Sequence, residues 1–272
     1  MPFQRVIYLS FIFNTLCGCV GLQTANETAS QFDHITNSYV IYDIKTHNAF
    51  SDMDQIKKEI KNRGITLYTP DYLCGFTFLI ISQITFLRSE VNQKSVEHIS
   101  STIEGITDEE FADLVMSFTE KELRTNSTRG TRFYDLTKFN ANHERFAVIV
   151  YDEYTLTRFE WPNEQVFQDA VSFSLLHEVG HALAGVKGSP VHDYISQDTT
   201  IDEDTLKYYM ETYADIFAAQ FAYSDLSHAK ASQLLLHMIG FREKTLTSFT
   251  HDTSDVLIGF RKKRDNQGYP ND

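Results

Sequence analysis

The pentapeptide His177-Glu178-Val179-Gly180-His181 stands inside an apolar run, SFSLLHEVGHALAGV. Phe173, Leu175, Leu176, Val179, Ala182, Leu183 and Ala184 would wrap a helix here almost completely. A helix apolar all round must be buried. Two histidines and a carboxylate inside it then need partners, because an unpaired buried charge is costly. Histidines four residues apart on a helix are only ~40° apart around its axis. Their imidazoles can grip one metal ion from a single face, with Glu178 placed to reach a water on that ion. The competing reading is a pair of core histidines bonded to backbone carbonyls.

A second motif favours the metal. Glu211-Thr212-Tyr213-Ala214-Asp215 lies within YYMETYADIFAAQF. An ion held by two histidines needs a third protein ligand, with the fourth position left for water. Glu211 follows His181 by thirty residues, on the next long helix pattern. Asp215 sits one turn further along the same face, where it can accept a hydrogen bond from the second nitrogen of a ligating histidine. Ala214 and Ala218 share that side, opposite a stripe of Leu206, Tyr209, Tyr213 and Phe217. Facing Gly180 and Ala184, they would let two helices approach closely enough to share an ion. The alternative is that Glu211 and Asp215 form a solvated acidic face.

His-Glu-x-x-His followed by Glu-x-x-Ala-Asp resembles the gluzincin group of zinc metallopeptidases. HEVGHALAG with a later ETYADIFAAQ is similar to a family of metallopeptidases found in exported bacterial proteins. It also echoes the CAAX-prenyl-protease-like peptidases, which share Glu-x-x-x-Asp but add multiple membrane spans. The resemblance covers roughly residues 145–225, and residues 30–140 match no such pattern. It implies zinc (Zn2+) as cofactor, His177, His181 and Glu211 as ligands, Glu178 as catalytic base and Asp215 behind the ligands. It also implies an α+β fold, mostly helical, zincin-like, with two active-site helices and a small sheet.

The N-terminus reads as an export signal. Arg5 is a short positive region, and Val6 to Val20 is mostly apolar yet short for a bilayer span. Leu16-Cys17-Gly18-Cys19 resembles the bacterial lipobox, which would make residues 1–18 the signal peptide and Cys19 the lipidated N-terminus. Cys17 departs from the usual small residue there. Cleavage near Ala25 or Ala29 would instead release a secreted protein, and an uncleaved anchor is a third option. Residues 19–35 are mostly polar and small and read as a tether. The remainder, 36–272, reads as one metallopeptidase domain with an N-terminal part (36–140) and a catalytic part (141–272). Without the leader cysteines only Cys74 is left, so no intramolecular disulfide forms. Cys74 reads as a core thiol. A net charge of −13 excludes a nucleic-acid partner, which needs clustered Lys and Arg. Arg261-Lys262-Lys263-Arg264 is the one dense basic run and reads as a solvated helix end or tail.

Elsewhere, residues 38–44 read as a strand and 51–63 as a helix carrying Met53, Ile56 and Ile60. The apolar stretch within 71–88 reads as a buried helix, and Thr107 to Leu123 as a capped helix. RFAVIVY, 145–151, is the strongest strand signal, and it precedes the first site helix as a substrate-binding edge strand does in zincins. That helix spans 163–186. Asp202 caps the second, about 203–223, and a further amphipathic helix runs from Ser227 to about Phe249.

These features lead to hydrolysis of peptide bonds by a metal-bound water, with Glu178 as general base. The partners are a peptide or protein substrate and a membrane reached through the lipid. His192, Tyr194, Tyr209 and His251 are the candidates to stabilise the oxyanion. The alternatives are a non-catalytic, zinc-containing binding or scaffold protein of the cell envelope, and a zinc hydrolase of non-peptide amides.

Overall fold

Helix α1, Ala49–Arg63, opens the part of the chain that the structure, a computed structural model, describes: residues 48–69, 76–83, 130–135, 145–185, 191–192, 201–245 and 253–266. Met53, Ile56 and Ile60 recur at helical spacing and are all buried. Gly64 ends the helix at φ 77°, a left-handed conformation that favours glycine, and its N–H returns to the Ile60 carbonyl at 2.6 Å.

Four strands make one mixed sheet: β1 (Ile65–Tyr68), β2 (Phe76–Ser82), β3 (Arg132–Asp135) and β4 (Arg145–Tyr151), in the order β1-β2-β4-β3. β2 runs parallel to β4, with Phe76 opposite Arg145, and antiparallel to β1; β3 runs antiparallel to β4. Phe76, Phe78 and Ile80 of β2 join Ala147 and Ile149 of β4 in the main core, and the alternate Leu79, Ile81, Val148 and Val150 are buried as well.

Burial on both faces explains one correction. The apolar stretch within 71–88 contains a strand, Phe76–Ser82, and not a buried helix. A central strand covered on both faces loses the polar alternation that marks a strand, so a short apolar run resembles a helix core. The β-branched and aromatic content, FTFLIIS, decides it. A second correction concerns 145–151, which is a strand as expected but an interior one, paired on both sides. Among the described residues the edges are β1 and β3.

The remaining elements are a single turn, α2 (Tyr154–Thr157), and four helices, α3 (Glu164–Ala184), α4 (Glu203–Asp225), α5 (His228–Thr245) and α6 (Ser254–Asn266). Asn163 caps α3 by accepting from the Val166 N–H at 3.0 Å, and Asp202 caps α4 by accepting from the Thr205 N–H at 2.9 Å. α3 and α4 pack closely against each other. α1 is fastened to both. Lys57 Nζ, buried and paired with Asp54, donates to the Gln168 carbonyl at 2.9 Å and to Ser172 Oγ at 2.7 Å on α3. Asp225, at the end of α4, accepts from the Phe50 N–H at 3.0 Å. Residues 261–264 form the last turns of α6, where Arg261 Nε donates to Ser232 Oγ at 2.8 Å and Arg264 lies over the Phe260 ring.

The architecture is therefore α+β, mostly helical, with a small four-stranded sheet. No helix among the described residues is long and apolar enough to cross a membrane. The leader with Cys17 and Cys19, the tether, the 38–44 strand, Cys74 and the Thr107–Leu123 helix lie outside the described residues.

Candidate metal centre

The site forms where α3 crosses α4. Gly180 makes the crossing possible: a Cβ built there would stand 2.7 Å from Ala214 Cα and 3.1 Å from the Ala214 carbonyl oxygen. Real side chains do not pack so closely against backbone, so the approach needs a glycine. Ala214 and Ala218 are both fully buried. Of the small-residue face read from the sequence, the Gly180–Ala214 contact is the close approach that brings His177 and His181 near Glu211.

Three donor atoms converge. His177 Nε2 lies 3.0 Å from His181 Nε2 and 3.2 Å from Glu211 Oε2, and His181 Nε2 lies 3.5 Å from Glu211 Oε1. The two imidazoles stand edge to face with planes 89° apart. On a tetrahedral ion with ligand bonds near 2 Å, neighbouring donors are about 3.3 Å apart. The group fits a single small cation, and these residues could hold a metal ion. Two imidazole nitrogens and one carboxylate suit a transition ion better than calcium or magnesium, which take mostly oxygen. The side chains of His177, His181 and Glu211 keep only 8%, 13% and 12% of their surface exposed, so the group is largely enclosed.

Behind His177, Asp215 and Thr253 are fully buried and Arg242 nearly so. His177 Nδ1–H donates to Asp215 Oδ1 at 2.6 Å, the contact read from the sequence. Arg242 Nη2, from α5, donates to the same oxygen at 2.6 Å, and Thr253 Oγ1, just before α6, donates to Asp215 Oδ2. Burial works against a charged His177 ring, but the Asp215 charge and hydrogen bond, with Glu211, outweigh it and raise its pKa from 6.5 to about 10. Burial also opposes the Asp215 carboxylate, and here Arg242 and His177 outweigh it, so its pKa lies below the usual range. Both shifts describe one buried ion-pair network. Glu178 is buried beside the histidines, and burial pushes its pKa above the ordinary glutamate value despite the attraction of His181 and His177.

Arg242 and Thr253 belong to the candidate site, although no sequence motif pointed to them. They lie 27 and 38 residues beyond Asp215, and only the return of α5 and α6 across the site helices brings them in. One faint signal exists: Arg242 follows the apolar stretch LLLHMIGF and is buried like Leu234, Leu235, Met238, Ile239 and Phe241 within it. The oxyanion candidates fare differently. Tyr209 is packed in the core beside Tyr208, His192 is half-buried in a short helical stretch after the described part of α3, and Tyr194 and His251 lie outside the described residues. No protein-family model, no curated protein and no solved structure matches the chain.

Proposed function

We propose that the chain is a zinc metallopeptidase whose ion is held by His177, His181 and Glu211 and whose general base is Glu178. The observation that carries this reading is the convergence of three donor atoms within 4.8 Å of one another, beside a buried glutamate that belongs to none of them. Two imidazoles and a carboxylate form a donor set for a divalent ion of zinc's class. When bound there, zinc supplies Lewis acidity, which makes water acidic enough to lose a proton near neutral pH and polarises a carbonyl.

The chain's own residues do the rest. Glu178 takes the proton from the attacking water and returns it to the departing amine. Burial raises its pKa, which makes it a stronger base than a surface glutamate. Asp215 holds the Nδ1 proton of His177, so Nε2 is the nitrogen that gives up its proton to ligate. An extended peptide would lie along β3, an edge strand among the described residues that packs against α3, and would be held by backbone hydrogen bonds. The proposal that the enzyme works exported, on an envelope membrane through a lipid on Cys19, rests on the leader sequence alone.

The test has two arms. Zinc content of the purified wild type should be one ion per chain, and Glu211→Ala should lose most of it. Glu178→Gln should keep the ion and the fold but lose hydrolysis of a peptide-library substrate by about a hundredfold or more. A Glu178→Gln variant as active as wild type would overturn the base assignment. Full zinc retention by Glu211→Ala would overturn the ligand set.

A further inference from the structure

We infer that Arg242 and Thr253 are positioning residues for the metal centre: by fixing both oxygens of Asp215 they hold His177 in the orientation that ligates. The inference rests on the metal reading above and extends it to two residues outside the site helices. Asp215 is fully buried, so its orientation depends entirely on its donors. Oδ1 receives His177 Nδ1–H and Arg242 Nη2, both at 2.6 Å, and Oδ2 receives Thr253 Oγ1. A carboxylate held at one oxygen can swing about its own bond. Held at both, it presents one lone pair to one imidazole and fixes the plane of that ring. The Nε2 on the far side is then aimed at His181 Nε2 and Glu211, 3.0 and 3.2 Å away.

The identity of residue 242 supports this over simple cross-linking. An apolar side chain between packed helices would join α5 to α3 and α4 with less loss of hydration. Arginine here is 8% exposed, and its Nε finds no partner among the described residues. What it supplies is a fixed positive charge. Glu178, Glu211 and Asp215 bring three carboxylates to one buried cluster, and Arg242 lies near enough to act on each. With one carboxylate offset by Arg242, a divalent ion neutralises the other two. The cluster is balanced for a charge of two only with Arg242 in place.

The two residues also carry the C-terminal helices into the site. Arg242 lies near the end of α5, and the Thr253 carbonyl accepts from the Leu257 N–H, the first helical bond of α6. Ligand geometry on α3 is thus set by a carboxylate on α4 that is locked from α5 and α6.

The experiment measures zinc affinity of the full chain by competition with a chromophoric chelator, with helix content and melting temperature recorded on the metal-free protein. Arg242→Met removes the arginine charge from the buried Asp215 carboxylate and is expected to destabilise the fold strongly, so Thr253→Val and Arg242→Lys carry the test. Thr253→Val keeps the shape and removes the hydroxyl. It should bind zinc about 10- to 100-fold more weakly, the usual effect of losing an outer-shell partner. Thr253→Ser should restore the affinity. Arg242→Lys keeps the charge without the planar fork and should fall between them. A cross-link with no positioning role would lower the melting temperature of the metal-free variants and leave affinity unchanged. That result, in a wild type that binds one zinc ion, overturns this inference and leaves the ligand set standing. A wild type that takes up no zinc overturns both.

Discussion

The two nitrogens of His177 do different work: Nδ1 is committed to Asp215 at 2.6 Å, and Nε2 stands among the donors at 3.0 and 3.2 Å. A contrasting histidine shows what burial does without a partner. His237 on α5 sits against the edge of Trp161, and its Nε2 has no hydrogen-bond partner among the described residues. Burial lowers its pKa below 6.5. The unfolded chain then takes up the proton first as pH falls. Stability is full above about pH 6.5 and declines as pH drops through that value. His237→Phe should remove this part of the acid sensitivity. Between about pH 7.5 and 5.5, wild type should lose on the order of 1–2 °C more in melting temperature than the variant, a small difference because the ring keeps contact with water. Equal losses in the two proteins would refute it. At this scale the sequence showed His177, His181, Glu178, Glu211 and Asp215, because each lies within one helical turn of a motif partner. It hid Arg242 and Thr253, whose only connection to the motif is through space.

At the scale of elements, the crossing of α3 and α4 can be tested at Gly180. Two effects oppose each other in Gly180→Ala. Alanine is the better helix former by about 1 kcal/mol. Its Cβ would meet backbone at 2.7 Å, and overpacking of that kind costs about 1–3 kcal/mol. The overlap is with Ala214 Cα and not with a movable side-chain tip, so the packing effect wins. The expected outcome is a net loss of up to about 2 kcal/mol in denaturant unfolding, together with weaker zinc binding as Glu211 is pushed from His177 and His181. A variant more stable than wild type would mean that the helices yield easily and that the crossing is not tight. Several elements were legible because local chemistry marks them: Asp202 caps the helix it was expected to cap, and Met53, Ile56 and Ile60 mark α1. β2 was not, because two-sided burial erased its alternation. The interior place of β4 was hidden for a related reason: pairing partners are set by the order of strands, which no single strand encodes.

Across the whole molecule, the centre is held from several directions. α1 is tied to α3 through Lys57 and to α4 through Asp225, while α5 and α6 reach Asp215 through Arg242 and Thr253. A bound ion would therefore join a network that already links the described helices α1 and α3 to α6, and its removal should be felt by the whole fold. Glu178, Glu211 and Asp215 would then share one small buried volume with only Arg242 and a protonated His177 to offset them. An ion that binds the folded chain alone stabilises it by about 4 kcal/mol when free ion is a thousandfold above its dissociation constant. At about 2–4 °C per kcal/mol for a domain of this size, chelation should lower the melting temperature by roughly 10 °C. Restoring zinc should recover it. Glu211→Gln, which keeps the shape and removes the ligand charge, should melt at the same temperature with and without chelator. The comparison separates the ion's effect from any action of the chelator on the protein. A wild-type melt that does not move when zinc is stripped and restored would show that these helices hold together without the ion, and that the site, if loaded, is loaded too weakly to matter for the fold.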